Sequence, residues 1–135
     1  CVCSIRRDSQ RRANIWFSTI FGGGTNYAHG EDTLFLCDAF RRGLRVYTSS
    51  FCLGTCAKDA STCFHGFDEK YFYDQGVLYR AAFGAAAAPL CLRFCLKRYS
   101  AYRGEMTFFR ALRAMYRGTR ETPRDKRPQH GTGAQ

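Results

Sequence analysis

Two adjacent carboxylates, Glu31 and Asp32, follow a stretch of ten residues (21–30) that contains four glycines. Carboxylates accept protons in general base catalysis, and glycines allow the backbone to approach a ligand closely. The pattern therefore indicates proton transfer from the hydroxyl group of a bound substrate. The candidate catalytic residues are Asp32 and Glu31, and the candidate substrate contacts are Gly23, Gly24, Thr25, His29 and Gly30.

Apolar residues at helical spacing predict a helix over residues 32–42 that begins at this pair; they are Leu34, Cys37 and Phe40. Gly43 predicts the end of that helix. The backbone N–H groups and the dipole of a first helical turn stabilise a negative side chain, so we expect Asp32 to be ionised. The alternative is an ordinary helix with acidic residues at its start, and an acidic pair alone does not separate the two interpretations.

A longer series of motifs resembles the acceptor side of the GT-A glycosyltransferases of family 2. In that family an aromatic-Gly-x-Gly stretch precedes an acidic pair that opens a helix, and the matching residues here are Phe21, Gly22, Gly24, Gly30, Glu31 and Asp32. The segments FRRGLRVYTSS (40–50) and STCFHGFDEKYFYDQGVLYRAAFG (61–84) are similar to later parts of such enzymes, and the resemblance covers about residues 14–118. It implies an α/β fold, the C-terminal half of a GT-A (nucleotide-diphospho-sugar transferase) domain with additional C-terminal helices.

The resemblance also implies a reaction. A sugar would pass, with inversion, from a nucleotide-diphosphate sugar to a carbohydrate or lipid-linked acceptor during polysaccharide or glycoconjugate synthesis. Asp32 would be the general base that deprotonates the acceptor hydroxyl, and Glu31 would be a supporting or acceptor-binding acid. One ionised carboxylate within hydrogen-bond reach of that hydroxyl is sufficient for such a role.

Several family features are missing from the sequence. It has no Asp-x-Asp motif, which in the family holds a divalent metal on the diphosphate, and no glycine-rich phosphate loop near its start. We therefore expect a C-terminal fragment that is inactive alone and has no cofactor of its own. In the full-length protein, a nucleotide-diphosphate sugar and Mg or Mn are expected. The only tryptophan is Trp16, so the Gln-x-x-Arg-Trp motif of processive synthases is absent, which favours single sugar addition.

The composition and the positions of glycine and proline predict three parts: an acceptor-side part (1–84), basic amphipathic helices (85–118) and a disordered tail (119–135). Short strands are predicted over 1–7 and 44–48, with a polar connection over 8–14. Asp68 predicts the N-cap of a helix that runs to about residue 82 and ends at Gly84. Further helices are predicted to start near Pro89 and to cover 105–117.

The net charge of +10 is concentrated near the C-terminus, because residues 91–135 contain 11 basic and 3 acidic residues. The basic helices are interpreted either as solvated faces or as an attachment surface for an anionic membrane. A nucleic-acid partner is disfavoured because no binding motif supports it. The expected location is cytoplasmic, with attachment to the inner face of the membrane left open. The rival function is a non-catalytic basic module that binds membrane or nucleic acid.

The eight cysteines allow two interpretations. Cys37, Cys91 and Cys95 lie at apolar helical positions, which favours buried free thiols in a reducing compartment. The even number leaves open a disulfide framework in a secreted domain. A set of possible zinc ligands lacks the CxxC spacing of zinc sites, so no metal is predicted; the set is Cys52, Cys56, Cys63 and His65.

Overall fold

The computed structural model describes residues 4–47, 66–121 and 123. Within these residues the chain forms five α-helices and one short 3-10 turn, Gly84–Ala86. In chain order the helices are α1 (Arg7–Ala13), α2 (Glu31–Arg41), α3 (Glu69–Phe83), α4 (Ala87–Tyr102) and α5 (Phe108–Thr119).

The ends of α3 follow the predicted signals. Asp68 is the N-cap, and its carboxylate accepts a hydrogen bond from the backbone N–H of Tyr71 at 2.6 Å. This contact satisfies one of the N–H groups that a helix start leaves without a partner. Gly84 ends the helix with a φ of 57°, a left-handed value that glycine adopts without a steric penalty. The predicted cap and stop of this helix are therefore confirmed.

Helices α3 and α4 form an antiparallel hairpin around a largely aromatic core. The rings of Phe72 and Tyr102 lie 4.8 Å apart, and those of Tyr79 and Phe94 lie 5.9 Å apart, so residues early in α3 face residues late in α4. The phenol of Tyr102 is fully buried and donates a hydrogen bond to the carbonyl of Cys95 at 3.0 Å. A buried phenol needs such a partner, and this bond within α4 supplies it.

Helix α5 crosses α3 at very close range. A side chain at Gly76 would collide with the carbonyl of Met115, and a side chain at Gly118 would collide with the carbonyl of Tyr73. The two glycines therefore allow the two backbones to touch. Glu69 at the start of α3 adds ion pairs with Arg110 (3.3 Å) and Arg117 (2.8 Å) of α5.

Helix α2 packs against the C-terminal half of α3 through a second apolar cluster. The buried members of this cluster are Phe21, Leu34, Val77, Leu78 and Ala82. A guanidinium hydrogen bond from Arg41 to the carbonyl of Ala82 joins the same two helices. A third cluster ties the segment after α1 to α2, and its buried members are Ile15, Phe35 and Ala39. Helix α3 is thus the element against which both α2 and the C-terminal helices pack.

Three local predictions are wrong within the described residues. Residues 8–14, predicted as a polar connection, are mostly helical, because α1 spans Arg7–Ala13 with Asp8 in its first turn and Arg11 and Arg12 in its last turn. Charges placed in this order complement the helix dipole. The predicted strand over 1–7 conflicts with that helix at Arg7, and its first three residues lie outside the described ranges.

The described part of the predicted strand over 44–48 is not a strand, since residues 44–47 have no regular structure. A strand needs a neighbour for its backbone hydrogen bonds, and none is present among the residues that the structure describes. The described residues contain no strand, and their only β-type pairing is an isolated bridge between Phe21 and Tyr27. The α/β fold class therefore stays a prediction.

The other helix boundaries differ from the predictions by a few residues. Helix α2 begins one residue earlier than predicted, α4 begins at Ala87 instead of near Pro89, and α5 begins at Phe108 instead of at residue 105. Thr119, predicted as the first residue of a disordered tail, is still helical, and most of the remaining tail lies outside the described residues.

The segment Glu69–Tyr102 counts as a candidate membrane span by length and composition, because an 18-residue stretch within it has a mean hydropathy of 1.2. In the structure this segment is a hairpin whose two helices have 15 and 16 residues, and a span needs about 20. Core helices pass the same test of composition, so the match is weak evidence for a span.

Candidate functional site

The glycine-rich stretch before α2 forms a tight loop. The N–H of Gly22 donates a hydrogen bond to the carbonyl of Tyr27 (2.8 Å), and the N–H of Tyr27 donates to the carbonyl of Ile20 (3.1 Å). The rings of Phe21 and Tyr27 stack 4.8 Å apart across the base of the loop. The backbone bonds and the stacked rings give the loop a defined shape without regular secondary structure.

The tip of this loop contains Gly23, Gly24 and Thr25, all exposed. Gly24 has a φ of 79°, and no atom lies within 4 Å of the place where a side chain would project. The hydroxyl of Thr25 lies 2.8 Å from the carbonyl of Ile20 and 2.9 Å from that of Gly22. Thr25 was predicted to border the substrate, and in the structure its hydroxyl stabilises the loop itself.

Gly30 connects the loop to α2 and allows the helix to begin against α3. It is the N-cap residue, has a φ of 116°, and its carbonyl accepts the first helical hydrogen bond, from the N–H of Leu34. A side chain at this position would lie 2.7 Å from a methyl group of Leu78. Only glycine satisfies both the left-handed conformation and the close approach.

The two acidic residues lie in the first turn of α2 but in different surroundings. Glu31 is half-buried, and its carboxylate turns back over the loop, about 3.3 Å from the position that a side chain at Gly22 would occupy. Asp32 is exposed. Among the described residues, no hydrogen bond or ion pair engages the Asp32 carboxylate. Its oxygens are therefore open to an incoming hydroxyl group.

His29 is attached to α3 by its imidazole ring. Its Nε2 atom lies 2.9 Å from Oε1 of Gln75, and because an amide oxygen only accepts hydrogen bonds, Nε2 is the donor. The ring also stacks on Tyr71 at 5.1 Å. The sequence predicts His29 as a substrate contact, and the structure shows a half-buried residue that holds the loop against α3.

Asp74 is the residue of this region that the sequence analysis missed. It is 1% exposed, and its Oδ2 atom accepts hydrogen bonds from the backbone N–H of Ala28 (3.1 Å) and from Lys70 (2.6 Å). The ammonium group of Lys70 also donates to the carbonyl of Asn26 at 3.3 Å. The sequence carried one available signal, since Lys70 and Asp74 are four residues apart and so face the same side of a helix.

The described residues provide no group of three or more His, Cys, Asp or Glu side chains that could hold a metal. The zinc ligands considered above (Cys52, Cys56, Cys63 and His65) lie outside the described residues. Cys37, Cys91 and Cys95 are free thiols, and the latter two are fully buried.

A cavity of about 600 Å³ lies on the surface of α5, away from the loop and from Asp32. Its lining consists of Phe109, Leu112, Arg113, Tyr116, Arg117 and Arg120. This cavity therefore does not form a cleft around the predicted base. Comparisons with protein-family models, with curated proteins and with solved structures give no match. A function must accordingly be inferred from the residues of this chain and from the motifs that they form.

Proposed function

We propose that this chain carries the acceptor side of an inverting glycosyltransferase, with Asp32 as the general base. The supporting observation is the state of the Asp32 carboxylate, which is exposed in the first turn of α2 and has no protein partner among the described residues. The carboxylate of Asp74 on α3, in contrast, is occupied by an ion pair with Lys70 and a hydrogen bond from the N–H of Ala28. Asp32 is instead available to a ligand.

The reaction requires one proton transfer at this residue. The acceptor hydroxyl gives its proton to a carboxylate oxygen of Asp32 while the hydroxyl oxygen forms a bond to the anomeric carbon of the sugar. The bond between that carbon and the nucleoside diphosphate breaks, and the diphosphate leaves with the electron pair. The backbone N–H groups of the first helical turn stabilise the negative charge of Asp32 before the transfer.

The neighbouring residues support this role because they hold the loop and the acidic pair in place. The glycine loop precedes the acidic pair directly, and α3 holds it through Asp74 and Gln75. The half-buried Glu31 lies against the loop, where it can contact an acceptor sugar held at the loop tip. The donor nucleotide and its metal would be bound by a segment of the kind that precedes such motifs in the family.

The test is the substitution Asp32→Asn in the complete gene product. Sugar transfer is followed by release of nucleoside diphosphate from a panel of nucleotide sugars with Mg or Mn present. We expect turnover to fall at least about 100-fold, as the loss of a general base should cause. The KM for the donor should change little, because the base contacts the acceptor.

Asp8→Asn is a matched control, because Asp8 is also an exposed acid at the second residue of a helix. It removes the same charge from a helix outside the loop and α2, and it should leave turnover unchanged. Equal turnover of Asp32→Asn and the unaltered protein would overturn the role of Asp32. The absence of sugar transfer from every donor in the panel would count against the proposed class of enzyme.

A further inference from the structure

The outer face of α4 presents a stripe of apolar side chains to solvent. Leu92, Leu96 and Tyr99 are 39%, 61% and 44% exposed, and their spacing of four and three residues places them on one side of the helix. Apolar side chains scattered singly over a surface need no explanation, whereas a contiguous patch indicates a binding surface.

The stripe continues onto α5 through aromatic contacts. The ring of Tyr99 lies 6.1 Å from that of Phe108, which in turn lies 5.6 Å from the ring of Phe109. Phe109 is 81% exposed and lines the cavity on α5 together with Leu112 and four other side chains. These ring contacts link the exposed side chains of α4 to Phe109 of α5. We call this set of residues the α4–α5 surface: Leu92, Leu96, Tyr99, Phe108 and Phe109.

The helices that carry this surface are strongly basic, and Arg113, Arg117 and Arg120 line the cavity beside Phe109. Residues 87–120 contain eight basic residues and a single acidic one, Glu105. Among the described residues, ion pairs engage only Arg110 and Arg117 of these eight, both with Glu69. The others remain without an acidic partner in this part of the chain: Arg93, Lys97, Arg98, Arg103, Arg113 and Arg120.

We propose that the α4–α5 surface binds an anionic lipid membrane. Leu92, Leu96 and Phe109 would enter the boundary between headgroups and acyl chains, and the arginine and lysine side chains of these helices would contact the lipid phosphates. Helices of this type combine leucine and phenylalanine with basic residues, and their binding scales with buried apolar area and with attraction to anionic lipids. This inference is independent of the reaction proposed for Asp32.

The charge of the chain disfavours other occupants. Residues 48–65 carry one basic and one acidic residue, and residues 124–135 carry three basic and one acidic, so neither segment offers negative charge to this surface. A second copy would bring the same positive surface and would be repelled. Single-stranded nucleic acid binds through aromatic side chains that stack on bases. Tyr99 and Phe109 are able to stack, whereas the aliphatic Leu92 and Leu96 are not, so a membrane covers more of this surface than a nucleic acid does.

Sedimentation of the full 135-residue chain with lipid vesicles tests the proposal. One set of vesicles contains phosphatidylcholine alone, and the other also contains about one third phosphatidylserine. We expect binding to the anionic vesicles at least about tenfold tighter than to the neutral ones, and weaker binding as salt increases.

Two pairs of variants separate the apolar and electrostatic contributions. The double substitution Leu96→Ser and Phe109→Ser should weaken binding at least about tenfold, whereas Phe40→Ser, at a position that is also 61% exposed but on α2, should not. The reversal Lys97→Glu with Arg113→Glu should weaken binding at least about tenfold. The matched reversal Arg11→Glu with Arg12→Glu on α1 should have a much smaller effect. Circular dichroism establishes that each variant is folded.

Three outcomes would overturn the proposal: equal binding to neutral and anionic vesicles, equal binding of the surface variants and their controls, and tight binding to a single-stranded oligonucleotide with none to vesicles. A dimer that hides the surface, seen by sedimentation equilibrium without lipid, would also overturn it. The Asp32→Asn variant should bind vesicles normally, so a failure here is distinguishable from a failure of the proposed reaction.

Discussion

Asp74 shows how a single buried residue positions the candidate site. Its side chain is 2% exposed, yet its partner Lys70 is 61% exposed. The ion pair itself therefore contributes little, because solvent screens the ammonium group. The hydrogen bond from the N–H of Ala28 is more important, since that group has no other partner among the described residues and would lose its acceptor if the carboxylate were removed.

We predict that Asp74→Ala lowers the free energy of unfolding by about 1–2 kcal/mol, because the half-buried N–H of Ala28 loses its acceptor. Asp74→Asn keeps the size of the side chain and an oxygen that can accept from Ala28, so its loss should be smaller. Urea denaturation of the two variants measures the difference. Equal stability of Asp74→Ala and the unaltered chain would mean that this residue does not anchor the loop.

The acidic pair could be predicted from the sequence, whereas the residues that hold the loop in place could not. The position of Glu31 and Asp32 at a helix start could be predicted, because the apolar spacing that follows them is local. The hydrogen bonds of Asp74 and Gln75 could not, because they form only when the loop docks on α3, 46 residues away in sequence. The docking of the loop on α3 also decides which charged side chains become buried, and the local sequence does not show this.

At the scale of elements, the capping residues predict where a helix begins and ends, whereas the pattern of apolar residues fails to predict one of the helices. Asp68 and Gly84 mark the ends of α3 correctly, because each acts through its own backbone or side chain. Helix α1 was missed because its residues are polar and its sequence RDSQRRA contains only one apolar residue. Its stability depends on charge order and a left-handed C-cap at Asn14, which an apolar pattern does not reveal.

The crossing of α3 and α5 depends on two glycines, and Gly118→Ala tests it. The new methyl group would collide with the backbone carbonyl of Tyr73, and backbone cannot rotate aside as a side chain can. We expect the free energy of unfolding to fall by about 1–3 kcal/mol or more. Thermal denaturation followed by circular dichroism measures this loss.

Gly104→Ala is the control for that experiment. Gly104 is exposed, and no atom lies within 4 Å of the place where its side chain would project. Alanine there should be neutral or raise the stability slightly, because it restricts the unfolded chain. If Gly118→Ala proved as stable as Gly104→Ala, the close crossing of the helices would be wrong.

At the scale of the whole molecule, α3 joins the two proposed sites. One side of it holds the loop of the candidate base, and the other packs against α4 and α5. Because the loop and the two C-terminal helices pack on different parts of α3, substitutions on the exposed α4–α5 surface can alter membrane binding without touching the loop. The α/β class cannot be judged from this part of the chain, since strands need partners that lie far away in sequence.

The core shared by α3, α4 and α5 contains groups that resist ionisation. Burial raises the pKa of the Cys91 thiol to about 12. Burial likewise raises the pKa of Cys95, although a hydrogen bond with Tyr102 opposes this in part. Burial also raises the pKa of the Tyr102 phenol, with Cys95 adding to the effect. These groups stay neutral in the folded protein at pH values where they ionise in the unfolded chain.

Folding should therefore weaken as the solution becomes alkaline. Below the pKa of an unfolded thiol, both states hold the proton and stability is independent of pH. Above it the unfolded chain loses the proton while the folded protein keeps it, so stability falls by up to about 1.4 kcal/mol per pH unit for each buried thiol. Denaturation from about pH 8 to about pH 10 measures this slope. The double substitution Cys91→Ala and Cys95→Ala should make the slope shallower, and an unchanged slope would show that these thiols ionise equally in the two states.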